Sequence, residues 1–191
     1  MQGEIAMLID ITLKFTPEMA SEARLLDKKE LIGHLGTHFD VMNKEFPLEY
    51  TERKGIIFDV RGILERDIDV ADIDIDKVDR DAFVAFYSGY SDENEYGTPK
   101  YFKEHPQLST ELIDALLNKG ISIIGVDFAG IRRGKEHIPT DSRCADRGVF
   151  VVENLCGLGA VLENSCEFVA STYPMSFLGI TGLPCRVIAK V

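Results

Sequence analysis

The feature that most restricts the fold is a run of strongly apolar segments broken by one helix with clear ends. Asp81 to Tyr87 reads DAFVAFY, and Ile121 to Val126 is almost wholly apolar before it stops at Asp127. Between them, Ser109 is placed as an N-cap, Glu111 sits in the first turn, and Leu112, Ile113, Leu116 and Leu117 form one apolar face closed by Gly120. Strand, helix and strand following one another in this way predict an α/β order with buried strands. Lys54–Val60, opened by Gly55, and Val149–Leu155 are strands of the same kind. Ile5–Phe15 predicts a first strand or two, and Thr16-Pro17-Glu18 offers the opening of a helical turn. Ser21–Ile32 fits either a short helix or a charged hairpin arm. Glu167–Ala170, Tyr173–Phe177 and Arg186–Val191 supply the last strands, with Gly179–Pro184 as a turn. Met42–Tyr50, Ser91–Pro99 and Ala129–Arg147 are polar connections, the second long enough to act as a flap. At 191 residues the chain predicts one domain, 1–191, with one well-filled core.

Against this scaffold, the stretch Gly33-His34-Leu35-Gly36-Thr37-His38-Phe39-Asp40 stands apart, because it places two of the four histidines and a carboxylate within seven positions. On a strand, His34, His38 and Asp40 share a face. A helix would also align His34 with His38, but Gly36 and the β-branched Thr37 oppose it. Two imidazoles and a carboxylate suit a borderline or hard divalent cation such as zinc or manganese. The alternative is a histidine pair satisfied by backbone carbonyls beside a capping aspartate. Glu153, near the end of an apolar strand, is awkward unless paired or bound to a cation.

Several classes are excluded. A formal charge of −11 repels polyanions, and no Lys/Arg cluster exceeds pairs such as Lys28-Lys29, so nucleic acid is not an expected partner. No apolar run approaches the length of a membrane span, and the N-terminus lacks a leader pattern, which predicts a cytoplasmic protein. Cys144, Cys156, Cys166 and Cys185 are unevenly spaced with no CxxC pair, as reduced packing thiols are. The acidic run from Asp67 to Asp81 lacks the glycine and terminal glutamate of a calcium loop. It reads instead as a solvated edge with Ile68, Val70, Ile73 and Ile75 inward.

Taken in order, these pieces resemble the cyclase family of metal-dependent hydrolases, whose members include the bacterial kynurenine formamidases. The family pattern HxGTHxDxPxHF is matched by His34-Leu35-Gly36-Thr37-His38-Phe39-Asp40. Further matches are Gly55–Val60, His105-Pro106-Gln107-Leu108-Ser109, Gly125-Val126-Asp127, Val152-Glu153-Asn154-Leu155 and Gly182–Ala189. The resemblance implies a swivelling β/β/α fold with two sheets and a helical layer, assembled as a homodimer or homotetramer. It also implies one or two divalent cations per chain, zinc or manganese. Carried over, His34, His38 and Asp40 are ligands, Asp40 bridges to any second metal, and Glu153 completes the set.

The pattern is not kept after Asp40. Met42 replaces a proline, and Lys44 replaces a catalytic histidine that would shuttle protons, leaving that task to Lys44 or a water. Asp141 falls where a second-metal histidine is expected; it is still a ligand type, and His137 lies close enough to substitute. His105 is read as part of a packing turn. The implied activity is hydrolysis of a small amide, lactam or ester, with Phe15, Tyr87, Tyr90 and Phe128 as candidate pocket walls. The alternative is a family member that binds a metal or metabolite without turnover.

Overall fold

A computed structural model describes residues 7–13, 33–63, 65–177 and 179–191. The expected helix or hairpin arm at Ser21–Ile32, the turn at Thr16 and the wall residue Phe15 lie outside the described residues. Among the described residues, nine strands are formed: β1 (Leu8–Asp10), β2 (His38–Asp40), β3 (Glu52–Asp59), β4 (Phe83–Tyr87), β5 (Ile123–Val126), β6 (Phe150–Glu153), β7 (Glu167–Thr172), β8 (Gly182–Pro184) and β9 (Val187–Lys190). They follow the order β1-β9-β7-β3-β4-β5-β6-β2-β8 in one hydrogen-bonded sheet. Its centre is parallel, since β3, β4, β5 and β6 pair in parallel, and the flanking strands are antiparallel.

Chain connectivity forces this sheet to curl. β8 lies at one end of the order and β9 next to the other end, yet only Cys185 and Arg186 join them. Three residue steps reach no further than about 10 Å, so the two ends must meet. They are stitched where the Ile11 amide donates to the Val187 carbonyl at 3.1 Å, the Cys156 amide donates to Ile11, and Thr12 bridges Leu155. One hydrophobic cluster therefore draws from the whole order, with Ile11, Phe39, Phe83, Phe150, Phe168, Leu183 and Val187 among its members. The two sheets implied by the resemblance are here two halves of one continuous, rolled sheet.

The helices are α1 (Tyr90–Glu93), α2 (Pro99–Lys103), α3 (Thr110–Lys119), α4 (His137–Asp146) and α5 (Leu158–Leu162); α1, α2 and α3 bury residues on the other face of the sheet, whereas Leu158 and Val161 of α5 join the cluster inside the curl. Helix α3 forms as its sequence predicts: the Ser109 hydroxyl accepts from the Leu112 amide, Gly120 closes it with φ 71°, and Leu112, Ile113, Leu116 and Leu117 are buried. Those four pack with Ile56, Val84, Phe86, Ile124 and Val151 of the sheet. Each such side chain contributes roughly 1.5–3 kcal/mol by leaving water. The acidic segment behaves as expected, with Ile68 buried and Val70, Ile73 and Ile75 packed against the same cluster.

Four expectations are corrected. The supposed polar connection Ala129–Arg147 contains α4. Tyr173–Phe177 forms no strand, whereas part of the supposed turn at Gly179–Pro184 is the edge strand β8. The segment 91–99 includes the end of α1 and the start of α2.

His105 takes the packing role expected of it. Its ring is 1% exposed, stacks on Phe128 with centroids 5.6 Å apart, and its Nδ1–H donates to the Pro106 carbonyl at 2.8 Å. Burial lowers its pKa from the ordinary 6.5 to about 4. The folded protein thus resists a proton that the unfolded chain accepts as pH falls below 6.5. Stability present above that pH is lost down to about pH 4, by an amount on the order of 3 kcal/mol. Denaturant midpoints measured from pH 7.5 to 4 should fall more steeply for the wild type than for His105→Gln.

Candidate metal centre

The centre is assembled by strand register. β2 runs antiparallel to β6 with His38 opposite Glu153 and Asp40 opposite Val151. Phe39 and Val152 therefore point into the curl, while His38, Asp40 and Glu153 share the helical face. Glu153 ends a parallel strand, the side of an open α/β sheet on which ligands bind. Helix α4 packs against β6 and adds His137 and Asp141, four residues apart and so on one helical face.

Distances show convergence. His34 Nδ1 lies 2.9 Å from Asp40 Oδ1; His38 Nε2 lies 3.7 Å from Asp40 Oδ1 and 3.6 Å from Glu153 Oε2. His137 Nε2 lies 3.4 Å from Asp141 Oδ2 and 3.7 Å from Glu153 Oε1. Two groups result, His34–His38–Asp40 and Asp40–His137–Asp141–Glu153, each with its donor atoms within 4.8 Å of one another, and Asp40 belongs to both.

The imidazoles are set up as ligands. His38 Nδ1 donates to the Gly36 carbonyl at 2.9 Å and His137 Nδ1 to the Arg132 carbonyl at 3.0 Å. A carbonyl only accepts, so in both rings the Nε2 lone pair faces the carboxylates, the tautomer a metal ligand needs. His34 is seated by a close backbone approach. A Cβ on Gly182 would stand 2.6 Å from the Gly33 oxygen and 2.8 Å from His34 Cε1. The Thr181 hydroxyl meets His34 Nε2 at 2.9 Å.

The carboxylates carry the strain. Asp40, Asp141 and Glu153 are buried, and Asp40 Oδ2, both Asp141 oxygens, Glu153 Oε1 and His38 Nε2 have no hydrogen-bond partner among the described residues. Burial acts to raise the Asp40 pKa, but the His34 hydrogen bond and the two imidazoles outweigh it and hold Asp40 at about 2. Burial, reinforced by the Asp40 charge, pushes Asp141 and Glu153 well above the ordinary carboxylate range. Burial likewise lowers His38. Orphaned, inward-facing nitrogen and oxygen donors with excess negative charge fit a divalent cation.

The other anticipated residues fall elsewhere. Met42 and Asn43 take left-handed backbone, φ 47° and 65°, and the following Lys44 is exposed with its ammonium 2.6 Å from Asp146. The structure does not bring Lys44 to the cluster. Tyr87 lies on the opposite sheet face, in the cluster of Phe83 and Ala85, with its hydroxyl donating to Asp92. Phe128 is fully buried against His105, and Tyr90 is buried beside Tyr101. None of these three lines the centre as a wall. The motif aspartate Asp127 instead ties two strand ends, accepting from the Ser88 hydroxyl and amide and the Gly89 amide.

With this geometry in place, the chain can be compared with known proteins. A family model described as "Putative cyclase" matches residues 9–132, more than half of the chain. The chain belongs to the cyclase family. No curated protein matches significantly. Solved structures share the fold of this cyclase-family chain over nearly its full length. One described as a potential metal-dependent hydrolase with cyclase activity is 21% identical, with TM-score 0.77 and coverage of 97% of this chain and 98% of that one. A predicted metal-dependent hydrolase from Bacillus stearothermophilus is 20% identical, with TM-score 0.74 and the same coverages. Isatin hydrolase A from Labrenzia aggregata, bound to benzyl benzoate, is 19% identical, with TM-score 0.74 and coverage of 97% and 94%. The family match includes His34, His38 and Asp40, while His137, Asp141 and Glu153 lie beyond it.

Both His137 and Asp141 face the cluster, so the choice between them that the sequence left open does not arise. The signal was their four-residue spacing, hidden by reading the segment as a loop. Asn154, which organises the loop around His38, carried no sequence signal beyond its place after Glu153.

Two substitutions probe the assembly. Asp141→Asn replaces a carboxyl that burial and the Asp40 charge already drive toward its neutral form, so the stripped protein should be about as stable as the wild type. Its cation affinity should nevertheless fall by roughly ten-fold or more, measured by calorimetric titration. Gly182→Ala should displace His34, weakening cation binding by a similar factor while lowering stability by about 1–3 kcal/mol in urea unfolding.

Proposed function

We propose that this cyclase-family protein is a metal-dependent hydrolase that uses water to cleave a small amide, lactam or ester. The observation that carries the reading is the pair of donor sets sharing Asp40, which supports one or two divalent cations, zinc or manganese. His34, His38, Asp40, His137, Asp141 and Glu153 are the residues that would hold them. When bound there, the cation would acidify water and offer positive charge to an acyl oxygen as it becomes an oxyanion.

The protein's own part is to fix donors, supply charge and control access. Asp40, Asp141 and Glu153 supply negative charge that a divalent cation neutralises, and their burial keeps competing water out. The side chains of His34 and His137 are 28% and 29% exposed, whereas those of His38, Asp40, Asp141 and Glu153 are nearly closed off. Substrate approach is therefore assigned to the side of His34 and His137. With Lys44 held in a surface ion pair, proton transfer to the leaving group is assigned to water. Exposed Tyr173, Met175 and Phe177 support assembly into a homo-oligomer.

A panel of formyl-anilide, lactam and ester substrates tests the reading on protein stripped of metal and reloaded with zinc or manganese. Turnover should require reloading and should drop roughly 100-fold or more in His38→Ala. Lys44→Ala should stay within about two-fold, because a general acid or base would contribute ~100-fold or more. The Lys44 placement also favours a second reading, a metal-binding family member without turnover. Stoichiometric cation with no hydrolysis across the panel would establish it.

A further inference from the structure

We propose that Asn154 is a positioning residue for the metal centre: its side-chain amide holds the Gly36 carbonyl in the orientation that fixes the His38 tautomer. The inference rests on the reading of His38 as a ligand. His38 Nε2 faces Asp40 and Glu153 but has no hydrogen-bond partner among the described residues. The Nδ1 contact with the Gly36 carbonyl at 2.9 Å is therefore what sets which nitrogen carries the proton.

That carbonyl belongs to a residue with little conformational preference of its own. Gly36 has φ 64°, and a glycine peptide rotates readily unless something outside it prevents rotation. Asn154 Nδ2 donates to the same oxygen at 2.9 Å, occupying its second lone pair. The amide orientation is unambiguous, because the opposite one would set Oδ1 against the Gly36 oxygen and forfeit the Tyr101 hydroxyl, which donates to Oδ1 at 3.0 Å.

Asn154 is itself anchored from every side. Its backbone N–H donates to the Phe128 carbonyl at 3.1 Å, and its backbone carbonyl accepts from the Thr37 hydroxyl at 2.7 Å. It is buried and left-handed, φ 57°, a backbone that a glycine would adopt with less strain. A side chain retained in that conformation, with every polar atom engaged, points to a task for the amide. Because Asn154 follows Glu153 directly, one residue ties the His38 loop to the strand bearing the opposing carboxylate.

The test combines a tautomer measurement with zinc affinity. In stripped, 15N-labelled wild-type protein held at alkaline pH, long-range proton–nitrogen correlations should place the His38 proton on Nδ1. In Asn154→Gly, which suits the backbone, and Asn154→Asp, which keeps the size but loses the donor, His38 should become a mixture of tautomers. Zinc affinity, measured by competition with a chromophoric chelator, should weaken about ten-fold. If one variant fails to fold, the other carries the same reading. Folded variants with the wild-type tautomer and wild-type zinc affinity would overturn the proposal. A wild type that binds no zinc, with variants that still shift the tautomer, would overturn the metal reading and leave the positioning role standing.

Discussion

Mutual repulsion among three buried carboxylates is the constraint around which this molecule is built. Asp40, Asp141 and Glu153 come from β2, α4 and β6, and all three are essentially closed to solvent. Like charges at this separation in a poorly solvated setting cannot all be ionised without a compensating cation. In its absence, protons must stay on Asp141 and Glu153 while the neighbouring imidazoles keep Asp40 ionised. Packing that holds such a cluster together must come from elsewhere. The two clusters on either face of the rolled sheet supply it, one built on α3 and the other on residues from both ends of the strand order.

How much of this was legible in the sequence depends on whether the signal was local. Helix α3 has its cap, apolar face and terminating glycine within a dozen residues, and it forms as read. Alternation along β2 accounts for His38 and Asp40, whereas His34 precedes the strand, beyond Gly36 at φ 64°, and reaches Asp40 through the fold of that loop. Glu153 announced itself as a carboxylate in an apolar strand, although only pairing with β2 shows that it stands directly across from His38. Register between segments more than a hundred residues apart leaves no trace in either segment.

The misreadings have equally local causes. Helix α4 reads HIPTDSRCAD, in which Pro139 and the polar residues suggest a loop. Proline in the first turn lacks only an amide hydrogen that a helix start leaves unpaired, so it does not prevent helix formation there. Lys44 was aligned by spacing with a catalytic position, but two consecutive left-handed residues turn the chain before it reaches the cluster. Tyr87 fails by parity: at the end of β4 it shares the face of Phe83 and Ala85, toward the inside of the curl instead of the helical face. A single residue of offset decides between a wall of the centre and a core side chain.

The acidic segment acquires a structural purpose from the same geometry. The Arg132 guanidinium pairs with Asp67 and Glu136 and donates to the Leu108 carbonyl, while the Arg132 carbonyl receives the His137 proton. A residue anchored at its side chain by three acceptors has little freedom to turn its own peptide. The orientation of His137 is thereby coupled to Asp67, at the far end of a chain of hydrogen bonds, much as that of His38 is coupled to Asn154. The Nε2 atoms of both rings are thus aimed by backbone carbonyls that are themselves restrained. This arrangement lets the centre hold its donor geometry before any cation arrives, because the restraints act on the chain behind the ligands and do not depend on the protonation of the carboxylates.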